Sequence, residues 1–229
     1  MSKKKDTTDI GFENVENVLS KTENYIEENQ KSLTVIVIVI AAIIAGYLGY
    51  KKLFLEPAEI EAQSEMFVAE QYFEQDSFRL ALEGDGSYLG FADIIDEYGI
   101  TKSANLAKYY AGICYLKLGE YEEAIEQLKK FDSDDILIAS IALGAIGDAY
   151  IEVGEIEEGV EYYLKAAGRK QNDFTTSFYL KKAGLVYEEL GNYKKALQVY
   201  EQIEKEFPKS DESRDIEKYI TIVKTKLKK

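Results

Sequence analysis

Apolar residues recur at helical spacing over most of this chain. In the stretch Ala107 to Phe131, AKYYAGICYLKLGEYEEAIEQLKKF, one stripe holds Ala111, Gly112, Tyr115 and Leu118, and the next holds Tyr121, Ala124, Ile125 and Leu128. Steps of three and four predict helices, not strands. Gly119, between the two runs, supplies the left-handed backbone position that ends a helix. The stretch therefore predicts a helical hairpin with a short turn. Gly112 and Ala124 stand where its two helices can approach closely. The pattern returns in Gly147, Tyr150, Val153, Gly154, Ile156, Gly159, Tyr163 and Ala166. It returns again in Gly184, Tyr187, Leu190, Gly191, Tyr193, Ala196, Tyr200 and Pro208. The turn glycines Gly119, Gly154 and Gly191 are 35 and 37 residues apart, and Gly112, Gly147 and Gly184 keep the same two intervals.

A different pattern comes first. Residues 32–50, SLTVIVIVIAAIIAGYLGY, carry no charge and are apolar all round. As a helix, about 19 residues rise roughly 28 Å, close to the hydrocarbon core of a bilayer. The β-branched residues favour a strand in water, but a membrane requires internal backbone bonding and hence a helix. Lys31, Lys51 and Lys52 bracket the run, and Tyr47 and Tyr50 suit the interface. A cleaved signal peptide fits poorly, because the run is too long and no small-x-small site precedes Lys51. The chain thus divides into a polar tail (1–31), a membrane anchor (32–52) and a C-terminal domain (53–229). In the tail, Phe12, Val15, Val18, Leu19, Tyr25 and Ile26 are spaced either as a short amphipathic helix or as part of a loose tail. Five lysines precede the span, against two in the near flank after it. This bias leans towards a cytoplasmic N-terminus and a domain outside the cytoplasm.

After the span, Pro57 is suited to the first turn of a helix. Ala58 to Gln75 reads as that helix, with Ala62, Met66, Ala69, Tyr72 and Phe73 inward. Phe78, Leu80, Ala81 and Leu82 continue the apolar pattern. The loop Gly84-Asp85-Gly86 interrupts it, and Ser87 is placed to cap a helix running to Tyr98. Three regular pairs follow, over about 102–131, 135–168 and 173–206, with Asp134 or Asp135 capping the second. Phe207-Pro208 closes the last. Ser210 is expected to cap a final helix from Asp211 to Lys228, packed through Ile216, Tyr219, Ile220 and Val223.

Charge and chemistry narrow the function. Residues 1–52 hold seven lysines and seven acids, so the net −14 of the chain falls on the rest. An acidic surface repels phosphate, which argues against nucleic acid as a partner. The chain has no His, and Cys114 is its one Cys. His-dependent catalysis and an internal disulfide are therefore excluded. Cys114 lies on an apolar helix as a buried, inert thiol. Glu83 to Ser87 lacks the spaced ligands of a calcium loop and reads as a turn. No phosphate-binding glycine motif is present, and no carboxylate pair stands out on an apolar face. The expectation is a non-enzyme with no cofactor and no metal.

The repeated G-x-x-Y-x-x-L-G-x-Y-x-x-A, present in the second and fourth copies and substituted in the third, resembles the tetratricopeptide repeat family. The resemblance implies an all-α chain: one transmembrane helix, then a solenoid of about four helical hairpins, the first degenerate, and a C-terminal capping helix. It also implies a concave groove lined by the first helix of each pair. The groove would present Leu106, Tyr109, Ile113 and Leu116 from the second pair, and Ile141, Gly144, Asp148 and Ile151 from the third. From the fourth come Phe178, Lys181, Leu185 and Glu188. So apolar a row suits a hydrophobic peptide or helix, unless neighbouring helices fill it. Family members that bind chaperone tails carry paired Lys and Asn where Tyr109 and Ile113 stand, so that activity is not implied. The layout of tail, span and repeats resembles the YfgM-like ancillary subunits of the bacterial Sec translocon. That likeness implies a protein of the bacterial inner membrane with a periplasmic domain. Its partners would be the translocon, envelope chaperones or exported chains. A scaffold for cell-envelope assembly or division is the alternative.

Overall fold

The computed structural model describes residues 27–228. The expected features around Phe12 to Ile26 lie outside the described residues. All regular elements among the described residues are helical. Contacts divide the chain into two units, Met1–Pro57 and Ala58–Lys229.

In the first unit, α1 (Gln30–Tyr50) has 21 residues and buries none of them. It is long and apolar enough to cross a membrane. Its backbone bonds close within the helix, and Thr34 Oγ1 adds a bond to the Gln30 carbonyl at 2.7 Å. A π-helical turn follows at Lys51–Leu55. Pro57 then stands in the first turn of α2 (Glu56–Glu74), a position that tolerates its missing N–H.

The second unit is built from helical pairs. They are α5 (Lys102–Leu118) with α6 (Tyr121–Lys130), α7 (Ile136–Glu152) with α8 (Ile156–Gly168), and α9 (Thr175–Glu189) with α10 (Tyr193–Glu206). Each first helix ends at a glycine of positive φ: +80° at Gly119, +91° at Gly154 and +70° at Gly191. The next N–H folds back onto the tyrosine carbonyl five positions earlier, at 2.9 Å for Glu120 to Tyr115, 2.9 Å for Glu155 to Tyr150 and 2.8 Å for Asn192 to Tyr187. This is the Schellman closure, and it explains why Tyr and Gly repeat together. Asp135, not Asp134, caps α7: its Oδ1 accepts from Leu137 N (2.8 Å) and Ile138 N (2.9 Å).

Close approach holds each pair. A Cβ added at Gly112 would lie 2.5 Å from Leu128 Cγ, at Gly147 2.7 Å from Tyr163 Cδ1, and at Gly184 2.2 Å from Tyr200 Cε1. The partner is in every case the residue sixteen positions on. Ala124, Ala166 and Ala196 are buried on the facing helices.

The first pair departs from this plan. Its second helix is split into α3 (Phe78–Glu83) and α4 (Phe91–Glu97). Met66 and Ala69 of α2 share a core with Leu82, Phe91, Ile94, Ala107, Ala111 and Cys114. The expected cap at Ser87 is corrected: α4 starts at Phe91, behind Gly90. Ser87 belongs to a turn around Asp85, whose Oδ1 accepts from Ser87 N (2.8 Å) and Tyr88 N (2.9 Å) and whose Oδ2 accepts from Tyr72 Oη (2.7 Å). Glu59 of α2 reaches the next pair and accepts from Lys102 N (2.6 Å) and Ser103 N (3.0 Å) at the positive end of α5.

The final helix, α11, spans Ile216–Lys226 and not Asp211 to Lys228. Ser210 instead caps a 3₁₀ turn at Glu212–Arg214, accepting from Ser213 N at 3.2 Å. Ser213 Oγ bonds the Pro208 and Ser210 carbonyls (2.9 and 2.8 Å), a local alternative that delays the helix. Ile216, Ile220 and Val223 join Val199, Tyr200 and Ile203 of α10 in one core, as expected.

Gly184→Ala forces a methyl group into the buried Tyr200 ring. The expected cost is about 1–3 kcal/mol, which lowers the Tm by roughly 2–10 °C for a chain of this size. Thermal melts of the detergent-solubilised full chain, followed by circular dichroism, check it. An unchanged Tm would show that the two helices do not need this contact.

Candidate protein-binding face

The first helices α5, α7 and α9 stack beside one another, and the twelve residues expected to line a groove fall on them in different settings. Leu106 packs against the core of the first two pairs. Tyr109, Ile113 and Leu116 pack onto Ala142, Ala145 and Ile146 of α7, so they are half-buried between pairs. Ile141, Asp148 and Lys181 are also half-buried, whereas Phe178 and Leu185 are 45% and 40% exposed.

Size complementarity explains the half-buried set. At one junction Tyr109 packs against the cluster that holds the small Ala142 and Ala145. At the next the order is reversed: Gly144 is the small residue, and a Cβ there would lie 2.0 Å from Cε1 of Tyr179. Tyr109 and Tyr179 thus fill much of the row from within. Gly144 lines nothing open, and Ile151 packs into the large C-terminal core. Glu188 accepts from Tyr200 Oη at 2.7 Å and is a structural acceptor.

What stays open is a row on α9. Phe174, Phe178 and Leu185 are exposed at steps of four and seven, with Phe174 69% exposed at the head of the helix. Ion pairs flank it. Lys181 Nζ bonds Asp215 at 2.8 Å and lies 5.0 Å from the Tyr219 centroid. Lys182 Nζ bonds Asp148 and lies 4.8 Å from the Tyr163 centroid. Asp148 also accepts from Tyr163 Oη at 2.5 Å. The expectation for this face missed Phe174, Tyr179 and Lys182. Phe174 was signalled by its i, i+4 spacing to Phe178, and Tyr179 by being the one large residue at a position that is Ala107 and Ala142 in the other copies. Lys182 stands 34 residues after Asp148, nearly one repeat away.

Among the described residues no three His, Cys, Asp or Glu side chains gather as metal ligands. Burial pushes the Cys114 thiol up to about 12.

A tetratricopeptide repeat model matches residues 106–134 and 182–210, and a second model of the same repeat matches residues 141–173. The chain carries three tetratricopeptide repeats. The matched segments coincide with the three regular pairs, and the first match begins after the split helix of the degenerate pair. No curated protein matches the chain. The repeats support a role in protein–protein interaction.

Burial raises the hydroxyl pKa of Tyr163 and Tyr200, and the carboxylates of Asp148 and Glu188 raise them further. In the unfolded chain these groups ionise from about pH 10. Above that pH the unfolded state binds fewer protons, so stability falls as pH rises. The loss should be shallower in the double variant Tyr163→Phe and Tyr200→Phe. Urea midpoints between pH 8 and pH 11 check this; an equally steep loss in the variant assigns it to other groups. Cys114 should resist iodoacetamide at pH 8 in the folded chain and react once it is unfolded.

Proposed function

We propose that the chain is a membrane-anchored, non-enzymatic adaptor that holds an apolar segment of a partner protein on the face of its first helices. The observation that carries this reading is the exposed row Phe174, Phe178 and Leu185 on α9. A charge-lined apolar row suits the apolar side of a helix or an extended peptide. Binding energy in such a site concentrates in a few central anchors. Phe178 and Leu185 fit that role, while the half-buried Tyr109 supports the surface from beneath. Helix α1 is the anchor, with residues 53–229 outside the cytoplasm of a bacterial cell, following the lysine bias across the span. The resemblance of its layout to ancillary subunits of the Sec translocon supports a post beside that translocon, where it would pass exported chains to envelope chaperones.

Two measurements test this. In intact spheroplasts, added protease should digest residues 53–229; protection until lysis reverses the orientation. A photo-crosslinking residue at position 178 of the full-length chain in cells should capture translocon subunits or exported chains. Capture of division or envelope-assembly proteins would support the scaffold instead. For a captured partner, Phe178→Ala should weaken binding by about 1–3 kcal/mol, or roughly 5- to 150-fold, with helicity unchanged. Undiminished binding would remove Phe178 from the site.

A further inference from the structure

The second helices carry a site of a different kind. Between the second and third pairs, Lys129 of α6 lies across two tyrosines. Its Nζ bonds Tyr150 Oη at 2.6 Å and sits 5.0 Å and 5.6 Å from the Tyr150 and Tyr162 centroids. The chain thus fills this junction with its own ammonium group on aromatic faces. One junction on, repeat register puts Tyr187 where Tyr150 stands and Leu164 where Lys129 stands. Leucine has no cation and a shorter reach, and here a notch of about 310 Å³ remains. Val160, Leu164, Tyr187 and Leu190 give it an apolar floor, and Leu190 is half exposed.

Charge decides what the notch accepts. Glu157 and Glu161 form the α8 wall. Glu161 bonds Lys165 at 2.7 Å, whereas the Glu157 carboxylate has no ion pair or hydrogen bond among the described residues. Lys195 of α10 stands 5.2 Å from the Tyr187 ring centroid, so the carboxylate of the lining left without a cation is Glu157. We infer that this notch docks a lysine or arginine side chain presented by a partner polypeptide, its stem on Leu164 and Leu190 and its cation at Glu157. A long basic side chain is the one type that satisfies both the apolar floor and the acidic wall. The site is separate from the α9 row and does not depend on it.

The substitution Leu164→Lys supplies from within what the partner would bring. The test uses the full chain in lipid nanodiscs, with ¹³C-labelled tyrosine rings, titrated with the capped pentapeptide Gly-Leu-Lys-Leu-Gly and its norleucine analogue. The lysine peptide should shift the Tyr187 ring resonance, and the analogue should bind about tenfold more weakly. Leu164→Lys should abolish the shift, Glu157→Gln should weaken binding several-fold and more so at low salt, and Phe178→Ala should leave it unchanged. Equal binding of the two peptides would overturn the proposal, as would full affinity in a folded Leu164→Lys chain. If Leu164→Lys lowers helicity, Glu157→Gln decides alone: the exposed carboxylate can be neutralised without disturbing the fold, and unchanged affinity there also overturns it.

Discussion

The contact on which the second unit depends is the approach of the two helices in each pair at a glycine. With no Cβ at 112, 147 and 184, the backbone of the first helix takes the side chain sixteen residues on directly against it. The Schellman closure at the following glycine sets the reversal that brings this residue into place. Together they define a repeat whose geometry barely changes while its side chains do. Leu128 fills the contact in one pair, Tyr163 and Tyr200 in the others. A tyrosine there carries a hydroxyl into a half-buried space, and an acid on the first helix must accept it. Asp148 and Glu188 do so. In the pair with Leu128, the same two positions are Ile113 and Leu116. Asp148 and Glu188 thus answer the tyrosine hydroxyls of their own pairs.

The repeat was legible because it is local. Spacing, turn glycines and the cap at Asp135 are all written within a few residues of where they act. The final helix was misplaced because Ser210 reads as a helix cap from its position alone, while Ser213 offers competing bonds to Pro208 and Ser210. The cap at Ser87 failed for the same reason: Asp85 takes the nearby N–H groups and is itself held by Tyr72, thirteen residues earlier.

The face of the first helices was legible only as a row of positions. Which of them stay open depends on size matching between pairs, and this alternates. Tyr109 against the alanines of α7 and Tyr179 over Gly144 place the large residue on opposite sides of successive junctions. The sequence alone predicts Tyr109 and Phe178 as the aromatics of the groove. Only the pairing of neighbours shows that Tyr109 is half-buried and that Phe178 is not.

The departures from regularity gather in one place. The third copy is two residues longer than the second, and α8 runs 13 residues where α6 runs 10. Arg169 and Lys170, just after α8, bond the carbonyls of Ser133 and Asp134 one repeat earlier, which fixes the longer connection. At this junction Tyr179 takes the space over Gly144, Phe178 is left outside, and Leu164 replaces the lysine that closes the preceding notch. A perfectly periodic stack buries equivalent positions equally and offers no preferred place to bind. Breaking the period between the third and fourth pairs leaves apolar surface uncovered on both faces of the same junction, so a partner bound there would cost the fold none of the contacts on which the other pairs rely.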